Sequence, residues 1–228
     1  AAHDLTIRTF HSLGLRIVRQ YAQALELREP VQILDESETR SILRRVCART
    51  QTALGRDIDR VAAAMSEARN EGLSAEALQT SDDDLAYALG LLMARYDEEK
   101  RMLGGVDFDD LLLLPLKLLR AEGEVATELK SRWSHALVDE YQDTNTLQFE
   151  LLRRLFGRTG NLCVVGDDDQ GIYGWRGADH RNILHFEKHF DGCRCVLLTA
   201  NYRCRAPILA AANQLIAKNR QRRAKELV

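Results

Sequence analysis

The hydrophobic positions change their period along the chain, and each change marks an element boundary. Residues 5–10 alternate at Leu5 and Ile7, which predicts a short strand, and a helix is predicted over residues 12–27. Between residues 35 and 119 the strand signal almost disappears. Helices are predicted there behind capping pairs: Asp35 with Glu38, Ser81 with Asp84, and Asp107 with Asp110. After Arg132 the pattern reads strand, helix, strand, helix, strand over residues 136–139, 147–156, 162–166, 178–190 and 195–199. A final helix over 207–218 has Pro207 in its first turn and a basic end at Arg220, Arg222 and Arg223 that complements the helix dipole. The expected fold is α/β, a layered parallel sheet with an all-helical insertion, and mostly helical overall.

The runs Ala136, Leu137, Val138 and Leu162, Cys163, Val164, Val165 are continuously apolar, the pattern of parallel strands buried on both faces. Ligands of such sheets sit beyond the carboxyl ends of the strands, where Asp139, Glu140, Asp167, Asp168 and Gln170 would project. Two adjacent carboxylates at that place can divide the labour of hydrolysis, one holding a hydrated divalent cation and the other taking a proton from water. The plainer role, capping the next helix, is better filled by Asp143, Thr144 and Asn145. Gln170 offers a neutral amide that senses a terminal phosphate without adding charge. Tyr173, Trp175 and Arg176 follow at once, flanked by Gly174 and Gly177. Loop aromatics beside an arginine are the ingredients of a grip on unpaired bases and phosphates.

The segments LVDEYQDTN (137–145) and LCVVGDDDQGIYGWRGAD (162–179) resemble motifs II and III of superfamily 1 DNA helicases of the Rep, UvrD and PcrA type. TFHSLG (9–14) is similar to motif Ia, DFDDLLLLP (107–115) to the signature after the helical insertion, and LTANYRCRAPILAAANQLI (198–216) to motif IV. Order and spacing match along nearly the whole chain, and the Rep branch looks closest. The resemblance implies a RecA-like fold of the phosphate-loop NTPase type. Residues 1–34 and 122–199 would form an incomplete first ATPase domain, 35–121 its helical insertion, and 200–228 the beginning of the second.

Further implications of the resemblance concern ligands. ATP and Mg²⁺ are the implied cofactors, with Asp139 the metal residue, Glu140 the base, and Gln170 linking the nucleotide site to the DNA platform. Tyr202 would pack on the adenine, and Arg203 would reach the γ-phosphate. Phe10 and His11, with Phe108, Tyr173, Trp175 and Arg176, would meet single-stranded DNA. A core role for Phe10 stays open, as it does for Phe108, which opens an apolar helix. Gly171 and Gly174 stand where the family commonly has serines, which would loosen the coupling loop, and Cys204 also replaces a common serine. The implied activity is ATP-dependent 3′–5′ translocation and unwinding. Its partners would be single-stranded DNA, single/double-strand junctions, and replication or repair proteins. The alternatives are the helicase subunit of a recombination helicase-nuclease and a catalytically silent, helicase-derived binding module.

Composition narrows the picture modestly. At 228 residues, 45% apolar and 29% charged, the chain reads as an ordinary soluble globule, and a net charge of −2 argues against a strongly basic nucleic-acid binder while leaving room for a local basic groove. No apolar stretch reaches the ~20 residues of a membrane span, and no secretory signal is visible. Five cysteines without a paired framework suit a reducing, cytoplasmic setting. Cys193 and Cys195 with His185 and His189 have metal-ligand chemistry but not the spacing of a zinc finger or ribbon. No Gly-Lys dipeptide occurs, so the loop G-x-x-x-x-G-K-[ST] that cradles phosphates is missing. The expectation is an internal part of a longer helicase, inactive alone.

Overall fold

A computed structural model describes residues 5–50, 54 and 57–228. The packing separates two units, Ala1–Arg132 with Thr146–Leu155, and Trp133–Asn145 with Phe156–Val228.

The first unit is helical. Helix α1 (Phe10–Gln20) starts where the Thr9 hydroxyl accepts the Ser12 N–H at 3.3 Å. That cap draws Phe10 into the helix, and the expected strand over 5–10 forms no ladder, with Leu5 and Ile7 exposed. Helices α2 (Glu36–Thr50), α3 (Ile58–Asn70), α4 (Ala75–Gln79) and α5 (Asp84–Leu103) enclose a core of Ile42, Leu43, Val46, Met65, Leu92 and their neighbours. The capping pair at Asp35 is present: its carboxylate accepts the Glu38 N–H at 2.8 Å, and Glu38 accepts the Asp35 N–H at 2.8 Å. At α5 the cap is Asp83 rather than Ser81, whose hydroxyl instead accepts the Asp83 N–H.

Two short strands break the helical run. β1 (Gln32–Ile33) pairs in parallel with β2 (Gly105–Val106). A side chain at Gly105 would lie 2.6 Å from Leu34 Cγ, so glycine is required for this approach. Two-residue strands carry too little pattern for sequence periodicity to detect.

Helix α6 (Asp110–Arg120) packs on α1 and on α7 (Glu124–Ser131). Pro115 has no N–H to give the Leu111 carbonyl four residues back. Gly14 approaches that same carbonyl so closely that a Cβ would stand 1.7 Å from its oxygen. Any side chain at position 14 would push α1 off α6. Helix α8 (Thr146–Phe156) contributes the buried Leu147, Leu151 and Leu152, and Glu150 lies 3.6 Å from Arg120 on α6.

The second unit is built on β3 (His135–Val138) and β4 (Asn161–Val164), a parallel pair in the register His135–Asn161 to Val138–Val164. Both expected strands are present, but they are not buried on both faces: Leu137 is 81% exposed and Val165 51%. Within the described residues each strand has one ladder partner and no layer over its outer face. The helix expected over 178–190 is broken into α9 (Arg181–Leu184) and α10 (Phe186–His189) at His185, which leaves helical geometry. Opposing demands explain the break. The Asn182 amide donates to the Thr144 carbonyl at 3.0 Å, while Phe186 turns inward edge-on to Tyr141.

The strand expected over 195–199 is absent, and Val196, Leu197 and Leu198 are exposed. A strand needs a neighbour for its N–H and C=O groups, and here only the end of the segment finds one. Val228 donates to the Thr199 carbonyl at 2.9 Å and accepts the Asn201 N–H at 2.7 Å. Helix α11 (Ala206–Ile216) follows, with Pro207 in its first turn. No helix among the described residues is long and apolar enough to cross a membrane.

Candidate functional site

Because β3 and β4 run parallel in register, the segments leaving them diverge on the same side. The ladder continues one step beyond each strand: Val165 N–H donates to Val138 at 2.8 Å, and Tyr141 N–H to Val165 at 2.9 Å. Between those bonds lie Asp139 and Glu140. Glu140 sits in the left-handed region (φ 49°, ψ 44°), a costly conformation for a residue with a Cβ. Its N–H is held by the Asp139 carboxylate at 2.9 Å. Both side chains are exposed.

A buried amide joins the two segments. Gln142, 2% exposed, donates to the Glu140 carboxylate at 2.7 Å and accepts the Asp167 N–H at 3.0 Å. Asp167 in turn accepts from the Gln170 amide at 2.6 Å. A continuous chain of hydrogen bonds therefore runs from Glu140 through Gln142 and Asp167 to Gln170. Gly166 makes room for it, since a Cβ there would stand 2.6 Å from Gln142 Oε1 and 2.9 Å from Ile183 Cδ1. Gln142 carries no pattern that singles it out in the sequence, because a lone glutamine after two acidic residues fits an ordinary helix start equally well.

Gln170 closes a 3-10 turn (Asp168–Gln170), and a second one (Gly174–Arg176) follows. Trp175 is 75% exposed. Tyr173 and Trp175 have ring centroids 6.3 Å apart, and the Arg176 guanidinium lies over both, 5.2 Å and 4.6 Å from their centroids. Arg176 thus braces the aromatic pair as well as presenting its charge. Gly171 is not the loosening element its small size suggests, because a Cβ would come within 3.0 Å of the His180 ring, which bonds the Asp168 carbonyl at 2.8 Å. Gly174 has open space around it and would accept a serine.

The carboxylates do not all face one ligand. Asp167, Asp168 and Asp169 turn toward Lys225 and Arg222. Burial alone would raise the Asp167 and Asp168 carboxyls, but hydrogen bonds from Lys225, joined by Gln170 and the Asp169 N–H at Asp167 and by the Arg223 N–H at Asp168, together hold both below the ordinary range. Of the basic residues read as complements of a helix dipole, Arg222 and Arg223 lie past the end of α11 and bond Asp169 and Asp168 instead. Tyr202, 96% exposed, and Arg203 stand on a turn fixed by Asn201, whose side-chain oxygen accepts the Arg203 N–H at 3.0 Å. The bond that a serine at 204 would make is made by the Cys204 thiol to Asn201 at 3.7 Å.

The remaining candidates belong to the first unit. His11 and Phe108 stack with centroids 3.8 Å apart and an interplanar angle of 18°. Phe108 is 62% exposed and so is not a core residue, while Phe10 is half-buried. Burial lowers the His11 pKa against the pull of Asp109, which favours the uncharged ring. Phe108 is held by a buried ion network under its backbone. Asp107 accepts from Lys100 at 2.7 Å, Arg69 at 3.2 Å and the Tyr96 hydroxyl at 3.0 Å. Asp107 and Asp110 also exchange backbone bonds, N–H to carboxylate, at 2.9 and 3.0 Å.

Comparison with known proteins shows the family. Residues 1–191 match the family model of the UvrD/REP helicase N-terminal domain. The chain is 40% identical over 243 aligned residues to ATP-dependent DNA helicase UvrD1 of Mycobacterium tuberculosis, covering 99% of this chain and 31% of that protein. It is 36% identical over 228 residues to ATP-dependent DNA helicase PcrA of Leuconostoc citreum, covering 99% of this chain and 30% of the relative. A PcrA of Staphylococcus aureus is 34% identical over 228 residues. The chain spans about a third of the length of these relatives.

Proposed function

The chain belongs to the UvrD/REP helicase family, and from that premise we propose that it supplies the nucleotide-sensing and DNA-gripping part of an ATP-dependent DNA helicase that moves 3′ to 5′ on single strands. The observation that carries the reading is the hydrogen-bond chain from Glu140 through Gln142 and Asp167 to Gln170, which runs directly into the exposed Tyr173–Trp175–Arg176 turn. A change at the nucleotide end is thereby tied to a base-stacking surface a few residues away. Glu140 acts as the base toward water. The exposed Asp139, one oxygen already holding the Glu140 N–H, fits the water-mediated binding that Mg²⁺ prefers. Mg²⁺ would offset phosphate charge there. Tyr202 and Arg203 serve the adenine and the γ-phosphate, and Phe10, His11 and Phe108 form a second DNA contact.

The domain assignment proposed with it is RecA-like for residues 1–34 and 122–199, a helical insertion for 35–121, and the start of a second such domain for 200–228. Lacking a Gly-Lys phosphate loop, the 228-residue chain alone is expected not to hydrolyse ATP. The test is titration of the chain with oligothymidylate at several salt concentrations. Trp175→Ala should weaken binding by the stacking increment of ~1–3 kcal/mol per base. Arg176→Ala should also reduce the salt slope by about one phosphate contact. Unchanged affinity and slope in both variants would remove this loop from the DNA path.

A further inference from the structure

The segment after α11 returns to the loop that follows β4 and meets it charge for charge. Arg222 grips Asp169 with two parallel bonds, Nε to Oδ1 at 2.7 Å and a terminal nitrogen to Oδ2 at 2.6 Å, the fork geometry that combines strength with direction. Lys225 lies 2.5 Å from Asp167 and also bonds Asp168. The Arg223 backbone N–H donates to Asp168 at 2.7 Å while its guanidinium takes Glu187 at 3.0 and 3.1 Å. Among the described residues these three aspartates are the only group disposed to hold a metal ion, but Lys225 and Arg222 already occupy them, so the cluster is an ion-pair site and not a cation site.

What lies on each side of the contact gives it meaning. On the acidic side Asp167 also accepts from Gln170, at 2.6 Å, so the Lys225 ammonium and the Gln170 amide share one carboxylate. On the basic side the segment is sewn to the turn that carries Tyr202 and Arg203. Val228 bonds both Thr199 and Asn201, and the Asn213 amide donates to the Leu227 carbonyl at 2.9 Å. We propose that Arg222, Arg223 and Lys225 form a basic clasp that positions the Gln170–Trp175 loop and locks it to the Tyr202–Arg203 turn, making these residues positioning residues for the coupling of nucleotide to DNA. The clasp itself rests only on the contacts above; its role in coupling rests on the function proposed for this loop.

The experiment separates the two. Hydrogen exchange of the Gln170, Ile172 and Arg176 amides is measured in the parent chain, Arg222→Asp, Lys225→Met, and the charge swap Arg222→Asp with Asp169→Arg. We expect roughly tenfold faster exchange in both single variants and recovery toward the parent rate in the swap, as local opening predicts. Unchanged exchange in both single variants overturns the clasp, and the milder Lys225→Met keeps the test decisive should Arg222→Asp misfold. The same proteins are then titrated with oligothymidylate. Affinity lost in Arg222→Asp and regained in the swap supports the coupling role. Equal affinity in all forms, with exchange altered, overturns it. A parent chain that binds no oligothymidylate overturns the DNA reading, and the exchange rates still decide the clasp.

Discussion

The two units each gather three aspartates within a few residues, Asp107, Asp109 and Asp110 in one, Asp167, Asp168 and Asp169 in the other, and each set is answered by a lysine and arginine. Their surroundings differ. Arg69 and Lys100 keep 5% and 6% of their side chains exposed, against 14% for Arg222, 13% for Lys225 and 27% for Arg223. In the first unit the cations come from α3 and α5 and lie beneath the backbone of Phe108, so breaking a pair strands a charge without water. In the second, water reaches the groups as soon as the contact opens. Similar residue chemistry thus yields cations buried almost completely in one place and more accessible to water in the other.

The most severe test of that contrast is Asp107→Ala, which takes from Lys100 and Arg69 the one deeply buried carboxylate they share and leaves them Asp97, Asp109 and Asp110. The expected cost is about 3–5 kcal/mol in chemical denaturation. A loss under 1 kcal/mol would mean that water enters the network and that the two clusters are alike.

Gly166→Ala should come next. Its methyl would collide with Gln142 Oε1 and Ile183, at about 1–3 kcal/mol, and the bridge from Glu140 to Asp167 should separate. Loss of slow exchange at the Asp167 amide would report this directly. Persistence of that protection would show that the Gln142 bridge does not depend on the glycine.

Acidification sharpens the comparison more gently. Asp167 and Asp168 have folded pKa values held below the ordinary 3.8, despite burial, by Lys225 together with the Gln170 amide and the Asp169 and Arg223 N–H groups. Their contribution is complete above that ordinary value and is lost as pH falls through the depressed folded values. Lys225 is raised above 10.5 because bonds to the same aspartates outweigh its burial, so its contribution is complete below 10.5 and lost as pH rises through the raised value. Exchange at Gln170 should therefore be flat, after correction for intrinsic rates, between about pH 4 and 10. A transition near neutrality would show that the loop is not held by these ion pairs alone.

The smallest effect is expected at Tyr141. Its ring is fully buried edge-on to Phe186, yet its hydroxyl has no hydrogen-bond partner among the described residues. Tyr141→Phe removes an unsatisfied polar group and should leave stability unchanged or raise it by up to about 1 kcal/mol. A fall in melting temperature would reveal a bond to water or to a bound ligand.

The amino-acid sequence by itself determined the family, through motifs whose residues are adjacent in the chain, and it determined the two parallel strands with Asp139, Glu140 and Gln170 at their ends. Capping at Asp35 and the α8 and α11 helices were legible for the same reason, since local hydrogen bonds and short-range periodicity act over a few residues. Only the tertiary structure decided that Phe108 faces solvent and stacks on His11, that Gln142 bridges the segments after β3 and β4, and that Arg222 and Lys225 answer Asp167, Asp168 and Asp169 more than fifty residues away. It also decided that the helix over 178–190 breaks and that residues 5–10 and 195–199 form no ladder. Strand pairing, buried amide bridges and ion pairs of this kind depend on which partner the fold brings within 3 Å, and periodicity along the chain carries no record of that partner.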